Sequence, residues 1–302
     1  MTNFDRERSE VFCGCATAVI TPFKNGRIDF NAFERIVEAQ IKAGVDAIVV
    51  AGTTGEAATL SEHEQMELIE LCVKTVNGRV AVIAGVGGCD ISKACRLAKY
   101  SSDCGADALL AVNPYYNKGN EQGIICSLNA IADSAKCPTI LYNVPSRTAQ
   151  SLTCSMLQEL AKNERIVGMK DASGDISAVC RAMSAVGDGF CIYSGNDDIT
   201  VPIMSLGGRG CISVLSNIVP EDVCAMCREY LSGKVGSAAA RQRDLAGLSG
   251  AMMCEVNPIP IKYAMHIMGY CELEYRLPLT APTKKHQRLI EMAISDFMAK
   301  NG

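Results

Sequence analysis

The sequence predicts an α/β fold, a (β/α)8 TIM barrel with a C-terminal helical appendix, and three observations predict it. Eight short apolar runs bounded by turn residues recur over the first three-quarters of the 302 residues. Helix-like stretches separate them, and strands that alternate with helices pair in parallel. Eight such units are the number that closes a barrel. No Gly-x-Gly-x-x-Gly follows the first run, and the composition does not break near the middle, so a doubly wound nucleotide-binding fold is disfavoured.

In chain order, the predicted strands are 15–23, 47–52, 80–86, 108–113, 139–144, 166–171, 191–195 and 210–214. The helical stretches between them include 30–43, 61–76, 91–103, 123–134 and 176–185. Ser61 with Glu64 three residues on forms a capping box for the second of these helices, and Asp90 and Asp175 cap two others. The strand signal stops after Val214, so the barrel is assigned to residues 1–218 and a helical domain to 219–302. That domain is broken near Gly233, 257–260 and 278–283. It serves oligomer contacts or caps the barrel bottom.

Bulk properties exclude several function classes. An apolar fraction of 48% with 21% charged residues fits a globular chain with a full core. A formal net charge of −4 offers no basic field for nucleic acid. No apolar run is long enough to cross a bilayer without charge or glycine breaks. The first eight residues are polar and lack the apolar core of a signal peptide. The expected location is therefore cytoplasmic.

The 16 cysteines, of which Cys72, Cys126, Cys180, Cys191 and Cys211 are typical, read as small core hydrophobes in a reducing compartment. Cys13 with Cys15 and Cys224 with Cys227 are closely spaced, but neither has a second Cys/His pair at zinc-site distance. Only three histidines occur, His63, His266 and His286, and none is spaced for a metal-binding helix. This argues against metal-dependent aldolases, zinc hydrolases and a Ser-His-Asp triad.

Lys170 is the leading candidate for chemistry. It ends the apolar run Ile166-Val167-Gly168-Met169-Lys170-Asp171. Alternation puts Ile166, Gly168 and Lys170 on one face and Val167 and Met169 on the other. If the first face lines a closed barrel, the amine is withdrawn from water. Desolvation disfavours the charged form of a lysine, and a neutral amine attacks carbonyl carbon. Gly168 is expected to leave room beneath the amine. The same alternation points Ile140 and Tyr142 the way of Lys170, and a phenol beside an amine can carry protons. The second strand ends in Gly52-Thr53-Thr54-Gly55-Glu56, which is either a cradle for a small carboxylate or an ordinary strand–helix turn. Arg147, just past the fifth strand, is a surface arginine or a bidentate grip on a second carboxylate.

These motifs occur in order on consecutive units, with Pro114-Tyr115-Tyr116, Ser194-Gly195-Asn196-Asp197, Gly210-Cys211-Ile212-Ser213-Val214 and Asn257-Pro258-Ile259-Pro260 adding to the pattern. Over nearly its whole length the chain resembles the dihydrodipicolinate synthase family of pyruvate-dependent class I aldolases, which also includes N-acetylneuraminate lyase. The resemblance implies that Lys170 forms an imine with pyruvate and that Tyr142 donates and accepts the proton. It implies a relay of Thr53 and Tyr116 with Tyr142, the tyrosine matching Tyr116 or its neighbour reaching across a dimer interface. Thr54 is implied to hold the pyruvate carboxylate, with the backbone near Ile212 lining the site. Arg147 is implied to hold the carboxylate of L-aspartate 4-semialdehyde, which favours the synthase over sialic or 2-keto-3-deoxy sugar acid lyases. Gly195 and Asn257 are further carry-overs. No cofactor is implied, and the family is usually a homotetramer of tight dimers.

Many members are inhibited by lysine at a dimer-interface site. Here its positions correspond to Glu62, Gln65, Cys89 and Lys93. Lys93 would repel a bound lysine cation, so weak or absent inhibition is expected. A non-catalytic barrel remains the reading from a different class, against which the Lys170, Tyr142 and Thr53 set argues.

Overall fold

The computed structural model describes residues 10–301. Eight parallel strands close into a barrel with helices between them. The strands are β1 (Gly14–Ala18), β4 (Ala47–Val50), β5 (Ala81–Gly87), β6 (Ala108–Val112), β7 (Thr139–Asn143), β8 (Ile166–Asp171), β9 (Cys191–Ser194) and β10 (Gly210–Ser213). The remaining two, β2 (Phe23–Lys24) and β3 (Arg27–Ile28), form a small antiparallel hairpin. The first predicted strand, 15–23, thus ends early. Pro22 lacks the N–H that a central strand needs, and the chain turns at Asn25 and Gly26, both at positive φ.

Helices α1 (Phe30–Ala43), α2 (Glu62–Val76), α3 (Ile91–Asp103) and α4 (Glu121–Asp133) begin where short polar caps accept backbone N–H groups: Asp29, Ser61, Asp90 and Asn120. The Ser61–Glu64 capping box is complete, with both reciprocal bonds made. Further along come α5 (Pro145–Thr148), α6 (Cys154–Leu160), α7 (Ile176–Val186), α8 (Thr200–Ser205) and α9 (Pro220–Leu231). Three of these, α5, α6 and α8, are too short for a clear helical period and were not expected from the sequence. Helix α9 packs against β1 and α1. The chain continues through α10 (Val235–Met252), α11 (Ile259–Ile267) and α12 (Lys284–Asn301). Among the described residues no helix is long and apolar enough to cross a membrane.

Alternation divides the strand side chains between two apolar clusters. One fills the barrel, with Ala16, Val49, Ile83, Leu110, Ile140 and Ile212 among its members. The other lies between strands and helices and includes Ile48, Val82, Leu109, Leu141, Met169 and Cys211. Inside the barrel Phe12 stacks on Tyr193 at 4.3 Å and takes the tyrosine hydroxyl on its carbonyl at 2.8 Å. Asp197, after β9, is half-buried with its carboxylate oxygen Oδ1 enclosed. Its Oδ2 accepts the N–H groups of Val214 and Leu215, and burial pushes the carboxyl up to about 6.

The facing of β8 departs from simple alternation. Between β7 and β8 the register runs Thr139 to Ile166 and then Ile140 to Gly168, so one extra residue sits on β8. This bulge sends Ile166 outward and Val167 into the barrel, the reverse of the expectation for both. Beyond it alternation resumes, with Met169 outside and Lys170 paired with Tyr142.

The cysteines divide by exposure. Cys72, Cys191 and Cys211 are buried as expected, whereas Cys126 and Cys180 are exposed on α4 and α7. The two close pairs also meet in space, Cys15 of the first against Cys224 of the second, with Cys211 between Cys15 and Cys227. Cys15 contacts Cys211 and Cys224, and Cys211 Sγ lies 3.8 Å from Cys227 Sγ. Among the described residues, no group of three or more His, Cys, Asp or Glu side chains is arranged to hold a metal ion.

Candidate active site

The carboxyl-terminal ends of the barrel strands open into a cleft of about 560 Å³. Thr53, Tyr142, Arg147 and Asn257 all line it. Lys170 is only 5% exposed, and its Nζ lies 4.6 Å from the centroid of the Tyr142 ring. An ammonium over a tyrosine face is held by the ring quadrupole as well as by packing. The strand ends beneath it are locked together. Asn143 Nδ2 donates to Asp171 Oδ2 at 2.7 Å, while Asp171 Oδ1 accepts from the N–H and hydroxyl of Ser173.

Gly195, not Gly168, makes the room for the lysine. A Cβ on Gly168 would meet the Cys191 carbonyl at 2.3 Å, so that glycine serves the approach of β9. A Cβ on Gly195 would lie 2.9 Å from Lys170 Cε and 2.8 Å from both Ala172 Cβ and the Asp171 carbonyl.

The turn after β4 carries the paired threonines. Thr54 is buried, and its Oγ1 accepts from Asn257 Nδ2 at 3.0 Å. With that lone pair engaged, the Thr54 hydroxyl proton is free to be donated to an anion. Among the described residues the backbone N–H groups of Thr53 and Thr54 find no acceptor. Two free N–H groups and a hydroxyl donor suit a carboxylate. Arg147 on α5 is exposed, and its Nη2 donates to the Asn257 carbonyl at 2.7 Å. Asn257 therefore bridges the threonine turn and the arginine.

Ile212 is fully buried in the barrel cluster, on β10 beside Ala16. Tyr116 is not brought to Thr53 and Tyr142 within the chain. It is 92% exposed and held at φ 67°. Its neighbour Tyr115 is half-buried and lines the cleft, and burial pushes its hydroxyl up. Gln65, Cys89 and Lys93 line another part of the same cleft, while Glu62 pairs with Arg96.

Sequence reasoning missed the support of the turn. Glu56 sits at φ 55° with a buried carboxylate. Its Oε1 takes Lys262 Nζ at 2.5 Å, with both side chains inaccessible, and its Oε2 takes the Arg276 N–H at 3.2 Å. Lys262 Nζ lies over the rings of Phe23 (4.0 Å) and Tyr275 (5.3 Å). Burial pushes the Lys262 ammonium down, against the pull of Glu56. The arginine reaches further, pairing bidentately with Glu64 and donating to the Thr59 carbonyl. The available signal was a lone cation in the apolar run Ile259-Pro260-Ile261-Lys262-Tyr263-Ala264-Met265.

The model of the dihydrodipicolinate synthetase family matches residues 11–297. A curated 4-hydroxy-tetrahydrodipicolinate synthase of Thermoanaerobacter sp. (strain X514) is 41% identical over 288 residues, covering 95% of this chain and 97% of the relative. Among solved structures, the 4-hydroxy-tetrahydrodipicolinate synthase of Methylacidiphilum fumariolicum SolV is similar with a TM-score of 0.94. It is 38% identical, with 95% of this chain and 96% of the other covered. The chloride-inhibited dihydrodipicolinate synthase of Acinetobacter baumannii complexed with pyruvate gives a TM-score of 0.92 at 37% identity, covering 95% and 99%.

Proposed function

The chain belongs to the dihydrodipicolinate synthetase family, and from that premise we propose the reaction it performs. It is a class I, Schiff-base lyase that condenses pyruvate with L-aspartate 4-semialdehyde, the 4-hydroxy-tetrahydrodipicolinate synthase step of lysine and diaminopimelate biosynthesis. The observation that carries the reading is the Lys170 amine, shielded from solvent and lying over the ring of Tyr142, which lines the cleft together with the threonine turn.

The Lys170 amine attacks the ketone carbon of pyruvate, and loss of water leaves an imine. The cationic nitrogen withdraws electrons, so the pyruvate methyl gives up a proton. The resulting enamine carbon bonds to the aldehyde carbon of the semialdehyde. The semialdehyde's own amine then attacks the imine carbon, closes the ring and releases Lys170. Tyr142 supplies and takes up the protons, with Thr53 next in the relay. Thr54 holds the pyruvate carboxylate, a role supported by its free hydroxyl proton and the two free N–H groups of its turn. Arg147 holds the second carboxylate, supported by its place at the cleft and by the Asn257 carbonyl that anchors one of its nitrogens.

Tyr116 completes the relay in a partner subunit, in a homotetramer built from tight dimers. Its exposure and left-handed backbone support a side chain presented outward. The enzyme acts in the cytoplasm.

Two assays test the reading. Borohydride with pyruvate should inactivate the enzyme irreversibly and add mass at Lys170; modification at another residue, or none, overturns it. A coupled assay should give turnover with pyruvate and aspartate semialdehyde, and cleavage of N-acetylneuraminate in its place would assign the chain to the sugar-acid lyases.

A further inference from the structure

The Gly52–Glu56 turn is tied to the far end of the sequence at three points, one of them the Arg276 N–H on Glu56 Oε2. Asn257 Nδ2 reaches Thr54 Oγ1, and Lys262 Nζ, in the first turn of the helix that follows, reaches Glu56 Oε1. Glu56 cannot swing free of this arrangement. Both its oxygens are engaged, and its backbone is in the left-handed region, which non-glycine residues seldom occupy. A fully buried ion pair is a poor device for stability alone, because desolvation of both charges offsets their attraction. What it provides is geometry: a short bond of fixed direction between two elements that are distant in sequence.

We propose that Lys262 is a positioning residue for the reaction, fixing through Glu56 the turn whose Thr54 hydroxyl and backbone N–H groups receive the pyruvate carboxylate. The inference rests on the pyruvate-binding role given above to Thr54. Lys262 touches no substrate. Without its bond the Glu56 carboxylate has no cation within reach of Oε1, and the turn relaxes away from its binding geometry. The loss falls on the affinity for pyruvate, since the carboxylate is held alike in ground and transition states. Affinity for the semialdehyde stays, because Arg147 is anchored by the Asn257 carbonyl and not by Glu56.

The test compares the wild-type enzyme, K262M and the double variant K262M/E56Q. K262M strands a buried carboxylate and melts earlier; the double variant carries no unpaired charge and recovers most of that loss. Both variants should raise the KM for pyruvate at least tenfold, with kcat and the KM for aspartate semialdehyde within threefold of wild type. Should K262M fail to fold, the double variant makes the same measurement. A double variant with a wild-type pyruvate KM would overturn the proposal and leave the pair a structural one, as would equal increases in both KM values. Borohydride trapping of pyruvate on wild-type Lys170 is the control: its absence would discard the Schiff-base reading itself, independently of Lys262.

Discussion

Replacing Gly195 with alanine adds one methyl group against the reactive lysine. The new Cβ would sit 2.9 Å from Lys170 Cε, 2.8 Å from Ala172 Cβ and 2.8 Å from the Asp171 carbonyl oxygen. Ordinary carbon contacts lie near 3.5 Å, so the lysine must retreat by roughly 0.6 Å unless the backbone moves instead. Neither neighbour at 2.8 Å can yield easily. Ala172 has no rotamer to change, and the Asp171 carbonyl accepts the Gly195 N–H at 2.6 Å. Overpacking of this kind costs about 1–3 kcal/mol of stability. A misplacement of about 1 Å in a reacting group costs on the order of a hundredfold in rate, so about half that displacement should cost roughly tenfold. The assay is the rate of pyruvate-dependent inactivation by borohydride, measured beside kcat in the coupled assay. Gly195→Ala should be trapped about tenfold more slowly, with the melting temperature reduced. Trapping at the wild-type rate by a folded variant would show that the lysine does not need this space.

Other perturbations separate the roles. Tyr142→Phe removes the phenol while keeping the ring beside Lys170 Nζ, so kcat should fall by about 10²–10⁴; a loss under threefold would move the proton shuttle elsewhere. Arg147→Ala should raise the KM for aspartate semialdehyde and leave pyruvate trapping unchanged, and an increase confined to pyruvate would reverse the two carboxylate sites. Sub-millimolar L-lysine should inhibit weakly or not at all, because the Lys93 cation lines that part of the cleft, and clear inhibition of the steady-state rate in that range would refute this. Asp197, raised by burial from 3.8 to about 6, gives a pH signature. A carboxyl whose folded-state pKa is raised holds its proton more tightly in the folded than in the unfolded chain. The associated stability is complete below pH 4 and is lost as pH rises to about 6, by roughly 3 kcal/mol. Asp197→Asn should remove that contribution, so its melting temperature relative to wild type should rise between pH 4 and pH 6.5; parallel curves would refute the buried titration.

The barrel could be read in the sequence because each strand is a short apolar run that stops at polar or glycine residues, a local signal. Lys170 and Tyr142 were legible for a related reason. Two or three residues of alternation before each were enough to aim them the same way, and β7 and β8 are sequence neighbours. The bulge at Ile166 and Val167 was not legible, because it depends on the register against β7, which neither strand encodes alone. Gly195 was noted only as part of a resemblance. The contact that makes it necessary, with Lys170, comes from the pairing of β8 with β9. Glu56 and Lys262 are 206 residues apart. No local pattern links them, although a charged residue amid isoleucine, tyrosine and methionine is a cue for a buried partner. Tyr116 stands at the other limit: what its exposed ring meets is a property of an assembly, not of one chain.

The support of the threonine turn also bears on how the enzyme comes into being. Its anchors, Asn257, Lys262 and Arg276, are translated long after the eight strands. A nascent polypeptide stalled at residue 250 could already hold the nucleophile and the phenol side by side, yet its receptor for the first substrate would be unbraced. Catalytic competence therefore arrives late in synthesis, and a C-terminal truncation ending before residue 257 would be expected to forfeit activity out of proportion to the mass removed.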